Sequence, residues 1–108
     1  MQIGCFYFKR TVSGNLLGEF SDNQGDRVYA ECADLEIPGE DEAGFAGSYR
    51  SAWRQGKDKH FANLVIKRNT KDKLIYTLTW KEKSYEYTGH GMLCDGMLIG
   101  NYIITKEG

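Results

Sequence analysis

The sequence predicts an all-β fold, a small single-domain antiparallel barrel or barrel-like sandwich of about eight short strands. Segments of alternating apolar and polar residues recur about every eight to twelve positions, with turn-forming residues between them. The composition is rich in aromatic residues (13%) and glycine (13 residues) and contains a single proline. Glycines also stand inside the predicted strands, where they favour the strong curvature of a closed sheet.

The most distinct hairpin is predicted at residues 85–104. Its first arm alternates between two faces from Tyr85 to Met92, which is the period of a pleated strand. Its second arm, Met97 to Thr105, is rich in Ile and Leu, which suit a half-buried sheet surface. Between the arms, Asp95-Gly96 supplies the positive φ that a short hairpin turn requires.

A short phrase of this hairpin recurs near the N-terminus. Residues 96–102 (GMLIGNY) and 14–20 (GNLLGEF) share one pattern of glycine, leucine and an aromatic residue, and residues 45–49 (FAGSY) form a looser copy. In each copy an apolar residue, a glycine and an aromatic residue are spaced by two, so they share one face of a strand. We interpret the phrase as an inward bend whose large neighbours fill the interior.

The remaining strands are predicted from the same alternation. They are residues 5–10, 16–21, 27–32, 45–53, 61–68 and 74–82, and residues 55–60 are predicted as a polar loop. In the strand at 74–82, the alternation places Leu74, Tyr76, Leu78 and Trp80 on the inner face. Segment 28–37 is ambiguous because its apolar residues also fit a helical stripe, although the preceding turn at 22–26 favours a strand.

Composition also limits the classes of function. The net charge of −1 gives no general attraction to nucleic acid or membranes, and no apolar run has the length of a membrane span. The start of the chain lacks the pattern of a signal peptide, so a cytoplasmic protein is expected. The odd number of scattered cysteines (Cys5, Cys32 and Cys94) predicts reduced, buried thiols and not a disulfide framework.

Charge is distributed unevenly along the chain. Residues 1–53 carry four basic and nine acidic side chains, whereas residues 54–83 carry nine basic and three acidic ones. A basic segment beside aromatics could bind single-stranded nucleic acid, but the alternation places the tryptophans inside and the lysines outside. We therefore expect a solvated face and no nucleic-acid partner. The opposite charges of the two segments also allow a symmetric homodimer.

Three G-x-aromatic phrases suggest a family resemblance. Gly18-Glu19-Phe20 lies in an early strand, Gly47-Ser48-Tyr49 in a middle one and Gly100-Asn101-Tyr102 in the closing one, within a run of short antiparallel strands with inward aromatic residues. In this respect the chain resembles the calycin group of barrels, which includes lipocalins, fatty-acid-binding proteins and avidins. Tyr49 replaces the tryptophan of the calycin G-x-W phrase, and the chain is shorter than a typical lipocalin. The resemblance implies a closed barrel that can hold a small ligand.

Inward aromatic residues with polar tips are the first candidate for a site. Tyr hydroxyls and Trp N–H groups need hydrogen-bond partners when they are buried, and they can orient a small amphipathic ligand at a barrel mouth. The alternative is a barrel filled by its own side chains. The candidate ligand-binding residues are Tyr49, Ser51, Trp53, Tyr76, Trp80, Tyr87 and Tyr102.

A catalytic site is the less favoured hypothesis. Cys94, His90 and Asp95 fall in one hairpin, and a thiolate with a nearby base could act as a nucleophile. A regular hairpin, however, places Cys94 at the turn and His90 back along a strand. No zinc-ligand spacing, phosphate-binding loop or dinucleotide fingerprint is present, so no metal or cofactor is expected. We expect a non-enzymatic ligand-binding module, with a homo-oligomerising or protein-interaction domain as the alternative.

Overall fold

The structure, a computed structural model, describes residues 1–108. They form a closed barrel of eight antiparallel strands in which each strand pairs with its neighbours in sequence and the last strand pairs with the first. The all-β barrel predicted from the sequence is therefore confirmed. The strands are β1 (Ile3–Arg10), β2 (Leu16–Asp22), β3 (Val28–Pro38), β4 (Gly47–Gln55), β5 (Asp58–Arg68), β6 (Ile75–Lys81), β7 (Glu86–Cys94) and β8 (Met97–Lys106).

Segment 28–37, ambiguous in the sequence, is the strand β3. It pairs with β2 on one side and β4 on the other, and its register shifts between Leu35 and Ile37 at an irregularity in the pairing with β4. Ile37, which the helical stripe would have buried, is 64% exposed. Pairing with two neighbouring strands outweighs the local helical pattern here, since β3 contributes one wall of the barrel.

The β4–β5 connection is tighter than the sequence predicts. Strand pairing extends to Gln55 and Asp58, so only Gly56 and Lys57 remain for the turn in place of the predicted loop at 55–60. Gly56 has a φ of 64°, a conformation that glycine adopts without steric cost. The other polar residues of this segment, Gln55 and Asp58 to His60, belong to the strands.

The interior is filled by one cluster of apolar side chains, whose buried members come from seven of the eight strands and from the β3–β4 loop. The buried members of this core are Phe6, Phe8, Leu16, Phe20, Ala33, Phe45, Tyr49, Ala62, Leu64, Ile66, Tyr76, Leu78, Trp80, Leu98 and Tyr102. Most of them alternate with outward residues along their strands, as expected for a sheet with one wet face.

Two glycines of the recurring phrase flank β1. Gly18 on β2 lies opposite Phe8, and Gly100 on β8 lies opposite Phe6. A Cβ atom would stand 1.8 Å from the Tyr7 carbonyl oxygen at Gly18 and 1.9 Å from the His90 carbonyl oxygen at Gly100. Only glycine permits the neighbouring backbones to approach this closely, so the two copies of the phrase let the sheet bend sharply between β1 and β2 and between β7 and β8.

Two details of the predicted burial are wrong. Leu74 was expected on the inner face, but it precedes β6 in a turn, where its N–H bonds to Asp72 Oδ1, and it is 50% exposed. The three cysteines were expected to be buried, but all three are free and exposed. Cys5 and Cys32 occupy outward positions of β1 and β3, and Cys94 ends β7 beside the Asp95-Gly96 turn.

One end of the barrel is closed by the β3–β4 loop. Phe45, 2% exposed, packs from this loop against Tyr76 with ring centroids 6.2 Å apart. Asp41 accepts hydrogen bonds from the Gly44 and Ala46 N–H groups and from the Tyr76 hydroxyl. The loop is thus held to β6 and covers the interior at this end. The structure contains no helix long and apolar enough to span a membrane.

A candidate ligand cleft at the open end of the barrel

The opposite end of the barrel opens into a narrow cleft. Its free space is about 30 Å³, which is room for one or two water-sized groups. The lining side chains are mostly aromatic, with a few polar ones between them. They are Gln2, Phe6, Phe20, Glu31, Trp53, Gln55, Trp80, Tyr87 and Tyr102.

Glu31 places a carboxyl group in the cleft. It is an inward residue of β3 and is only 5% exposed. Its Oε2 accepts hydrogen bonds from the Ser51 hydroxyl of β4 and from Trp80 Nε1 of β6, the latter at 2.9 Å. Oε1 has no hydrogen-bond partner in the protein and is not fully enclosed, so it is the atom available to the cleft.

The surroundings of Glu31 favour its neutral form. Burial raises the pKa of the Glu31 carboxyl from 4.5 to about 7, even though the hydrogen bonds from Ser51 and Trp80 act in the opposite direction. No basic side chain lines the cleft to offset the burial. The site therefore holds a carboxyl group that changes its charge near neutral pH, and such groups are concentrated at functional sites.

The aromatic walls are packed edge against face. Phe6 meets Trp80 with ring centroids 5.4 Å apart, and Phe20 meets Trp53 at 5.8 Å. Tyr102 packs edge-on against Phe20 at 6.2 Å. These contacts fix the rings around the carboxyl group, so the walls form a preorganised apolar surface.

The rim of the cleft carries a second polar pair, His60 and Glu82. The Trp53 ring stacks on His60 with centroids 5.4 Å apart and an interplanar angle of 5°. His60 Nδ1 lies 2.9 Å from Glu82 Oε1, and the other Glu82 oxygen is buried without a hydrogen-bond partner. The stack holds Trp53 in place at the mouth, where its ring is only partly buried.

The two tyrosines of the cleft remain protonated at neutral pH. Burial raises the pKa of Tyr102 to about 12, and its hydroxyl donates to the Ser21 carbonyl oxygen at 3.0 Å. Burial and the charge of Glu82 also raise the pKa of Tyr87. Both hydroxyls therefore keep their protons, and that of Tyr102 is already donated to Ser21.

The residues proposed from the sequence divide between the two ends of the barrel. Four of them line the cleft, namely Trp53, Trp80, Tyr87 and Tyr102. Ser51 is fully buried and holds Glu31. Tyr49 and Tyr76 lie at the closed end, where Tyr49 donates to the Phe45 carbonyl oxygen and Tyr76 to Asp41. These last two do not take part in the cleft.

Sequence reasoning missed Glu31. The signal was present, because Tyr29, Glu31, Ala33 and Leu35 form an alternating inward set once segment 28–37 is taken as a strand. Treating the segment as ambiguous hid this set. Gln2, Phe6, Phe20 and Gln55 were also not proposed as site residues.

The candidate catalytic residues lie apart. Cys94 and His90 occupy exposed positions on the same face of β7, four residues apart, which is about 13 Å at the rise of a strand. The basic segment contributes Lys81 and Lys83 to the outside of the barrel, where they lie with Arg50 beside the exposed Phe61, while Trp53 and Trp80 face inward. The tryptophans therefore do not share a surface with these cations.

No family model, curated protein or solved structure matches the chain. The function of the site therefore has to be inferred from its geometry. The arrangement can do two things chemically. The free oxygen of Glu31 can accept a hydrogen bond from a ligand, and the rings around it can cover an apolar group.

Proposed function

We propose that this chain is a non-enzymatic module that binds a small amphipathic molecule in the cleft at the open end of the barrel. The observation that carries the proposal is the free oxygen of Glu31, which lines a cleft whose other walls are mainly aromatic. A carboxyl group that is only 5% exposed is costly to keep in a folded protein, which favours a role in binding.

The architecture supports the same proposal. Eight-stranded up-and-down barrels can enclose one small ligand, as in the calycin-like proteins that this chain resembles. The free space of about 30 Å³ accommodates only the polar head of such a ligand, so its apolar part would contact the rim around Trp53 and Tyr87. Three free, exposed cysteines suit a reducing compartment, and we propose a cytoplasmic location on that basis.

Intrinsic fluorescence tests the proposed function directly. The chain has two tryptophans, Trp53 and Trp80, and both line the cleft. Titration with a panel of small amphipathic probes that do not emit with tryptophan, such as 2-phenylethanol, cyclohexanol and 1-hexanol, should shift or quench the tryptophan emission in a saturable way. Absence of any saturable change across the panel would contradict ligand binding in the cleft.

A homodimer is the second candidate, and a specific surface favours it. Exposed apolar side chains lie on the outer face of β1, β2 and β8 and at the start of β3, among them Leu17, Val28 and Ile99, which are 55%, 61% and 40% exposed. Such a face could be covered by a second copy of the chain. Charge complementarity between the acidic and basic segments would then guide the encounter.

Analytical ultracentrifugation separates this candidate from a monomer. A dimer formed through the apolar face should dissociate on dilution, and Leu17→Lys should produce monomers at every concentration. The matched control is Val12→Lys, a fully exposed residue in the β1–β2 turn. Sedimentation as a monomer at all concentrations and at both low and high ionic strength would exclude the dimer.

A further inference from the structure

We propose that the cleft selects a primary ammonium group, with the carboxylate of Glu31 as its counter-ion. This inference rests on the proposed function and deepens it by naming the class of ligand. The candidate ligands are small primary amines with an apolar or aromatic remainder. Glu31 would bind the ammonium head inside the barrel, and the rings of the mouth would contact the remainder.

The hydrogen bonds of Glu31 determine which atom meets the ligand. Ser51 and Trp80 both donate to Oε2, and Oε1 is left with its acceptor capacity unused. A hydrogen bond with an ionised partner is roughly twice as strong as one between two neutral groups, and an ammonium donor adds the direct attraction between opposite charges to its hydrogen bond with a carboxylate. An ammonium group therefore complements the open side of Glu31 better than a hydroxyl or amide does.

The charges around the cleft favour the same ligand class. The other titratable residues that line the cleft are Tyr87 on β7 and Tyr102 on β8, and both hydroxyls are protonated at neutral pH. The remaining polar lining groups are the neutral amides of Gln2 and Gln55. With no cation of its own, the cleft leaves the charge of Glu31 uncompensated, and a cationic ligand would supply the missing charge.

The size of the cleft restricts the head group. A free space of about 30 Å³ matches a water-sized group, and an NH₃⁺ group is of that size. A trimethylammonium group is several times larger and carries no N–H donor. The aromatic rings would add cation–π attraction for any ammonium, but a primary ammonium can also enter the space and donate to Oε1, whereas a quaternary one can do neither.

A matched pair of probes tests the inference. We would titrate the protein with 2-phenylethylamine and with 2-phenylethanol at pH 8, following tryptophan emission and, independently, binding heat. The two probes share their ring and chain and differ in the ammonium group. The amine should bind about tenfold or more tightly than the alcohol, as expected for a charge-assisted hydrogen bond to a buried carboxylate.

Two variants test whether Glu31 causes the preference for the amine over the alcohol. Glu31→Gln keeps an acceptor for Ser51 and Trp80 but removes the charge, so it should bring the affinity for the amine to within about twofold of that for the alcohol. Glu36→Gln on the exposed side of β3 is the matched control and should leave the tenfold preference intact. Circular dichroism of both variants verifies that the barrel is retained.

The pH dependence of the affinity for the amine provides an independent test. Since the pKa of Glu31 is raised to about 7, the affinity for 2-phenylethylamine should fall about tenfold between pH 8 and pH 6, as the carboxylate becomes protonated. The affinity for 2-phenylethanol should not fall. A tighter binding of the alcohol than of the amine at pH 8 would overturn the inference.

The remaining outcomes separate this inference from the proposed function. Equal affinity for the two probes, or an unchanged amine affinity in Glu31→Gln, would overturn the ammonium assignment and leave ligand binding in the cleft standing. Failure of both probes to bind the unmodified protein, together with failure of the wider panel, would overturn both proposals.

Discussion

Trp80 on β6 donates its indole N–H to Oε2 of Glu31 on β3, 2.9 Å away across the interior of the barrel. The two strands are not neighbours in the sheet, so this bond joins opposite walls. It leaves Oε1 of Glu31 free at the cleft. One hydrogen bond therefore both connects the barrel walls and orients the carboxyl group toward a ligand.

Neutralising Glu31 should stabilise the protein at alkaline pH. Because the folded-state pKa of Glu31 is raised from 4.5 to about 7, its favourable contribution is fully present below about pH 4.5 and is lost as the pH rises through 7. The stability of Glu31→Gln relative to the unmodified protein should therefore increase by about 2–3 kcal/mol from pH 5 to pH 8. Urea unfolding at both pH values measures this difference.

The same urea experiment with Glu36→Gln is the control. Glu36 is exposed on β3, and its replacement should change the free energy of unfolding by less than about 0.5 kcal/mol at either pH. A pH-independent effect of Glu31→Gln would show that Glu31 does not titrate in the folded protein near neutrality.

Removing the indole N–H should affect Glu31 specifically. Trp80→Phe preserves an aromatic ring but leaves Glu31 with Ser51 as its only donor, which should raise the pKa of Glu31 further. We expect a loss of about 1–3 kcal/mol of stability at pH 8 and a smaller loss at pH 5, where the carboxyl group is mostly protonated. Trp53→Phe is the matched control, because Trp53 lines the same cleft without bonding to Glu31. Equal effects of the two variants on the Glu31 pKa would contradict this role of Trp80.

The alternation of apolar and polar residues in the sequence was sufficient to predict the strands that form the barrel wall. Period-two patterns in β6 and β7, together with the Asp95-Gly96 turn, predict strands and their inner faces from local chemistry alone. Alternation does not give the height of a residue along the barrel axis, because that depends on the register of every strand pair. Tyr76 and Trp80 share a face of β6, but Tyr76 closes one end while Trp80 lines the cleft at the other.

The inward position of Glu31 was visible in the alternation of β3, but the donors that hold its carboxyl group were not. A glutamate in a strand usually faces water, and only its two donors make an inward position tolerable. Ser51 is 20 positions and Trp80 is 49 positions from Glu31 in the sequence, so neither pairing is visible in a local pattern. The exposed thiols were missed because a cysteine fits either face of a strand.

A methyl group at Gly100 should disrupt the junction of β7 and β8. The Cβ of Gly100→Ala would stand 1.9 Å from the His90 carbonyl oxygen, so the strand would have to move and its pairing would weaken. We expect a loss of about 3 kcal/mol or more in the free energy of unfolding. Gly25→Ala is the matched control, since a Cβ there meets nothing within 4 Å, and it should be neutral or slightly stabilising. A fully stable Gly100→Ala would show that the backbones are further apart than described.

Truncating Phe45 at the closed end should lower the stability of the barrel without changing ligand binding at the open end. Phe45→Ala removes a ring that is 2% exposed and packs against Tyr76, so we expect a loss of about 3–5 kcal/mol in the free energy of unfolding. At a temperature where the variant remains folded, its affinity for 2-phenylethylamine should stay within about twofold of the unmodified protein. A tenfold loss of affinity would indicate that the two ends of the barrel are coupled.

The pKa of the Glu31 carboxyl group tests the proposed ligand binding most directly. A carbon-detected NMR titration of the Glu31 side-chain carboxyl, assigned by comparison with Glu31→Gln, measures its pKa in the folded protein. We predict a value of about 7 for the free protein and a lower one with saturating 2-phenylethylamine, because a bound ammonium favours the carboxylate. A pKa near the ordinary 4.5, unchanged by the amine, would contradict both the buried carboxyl group and its assignment as the ligand-binding residue.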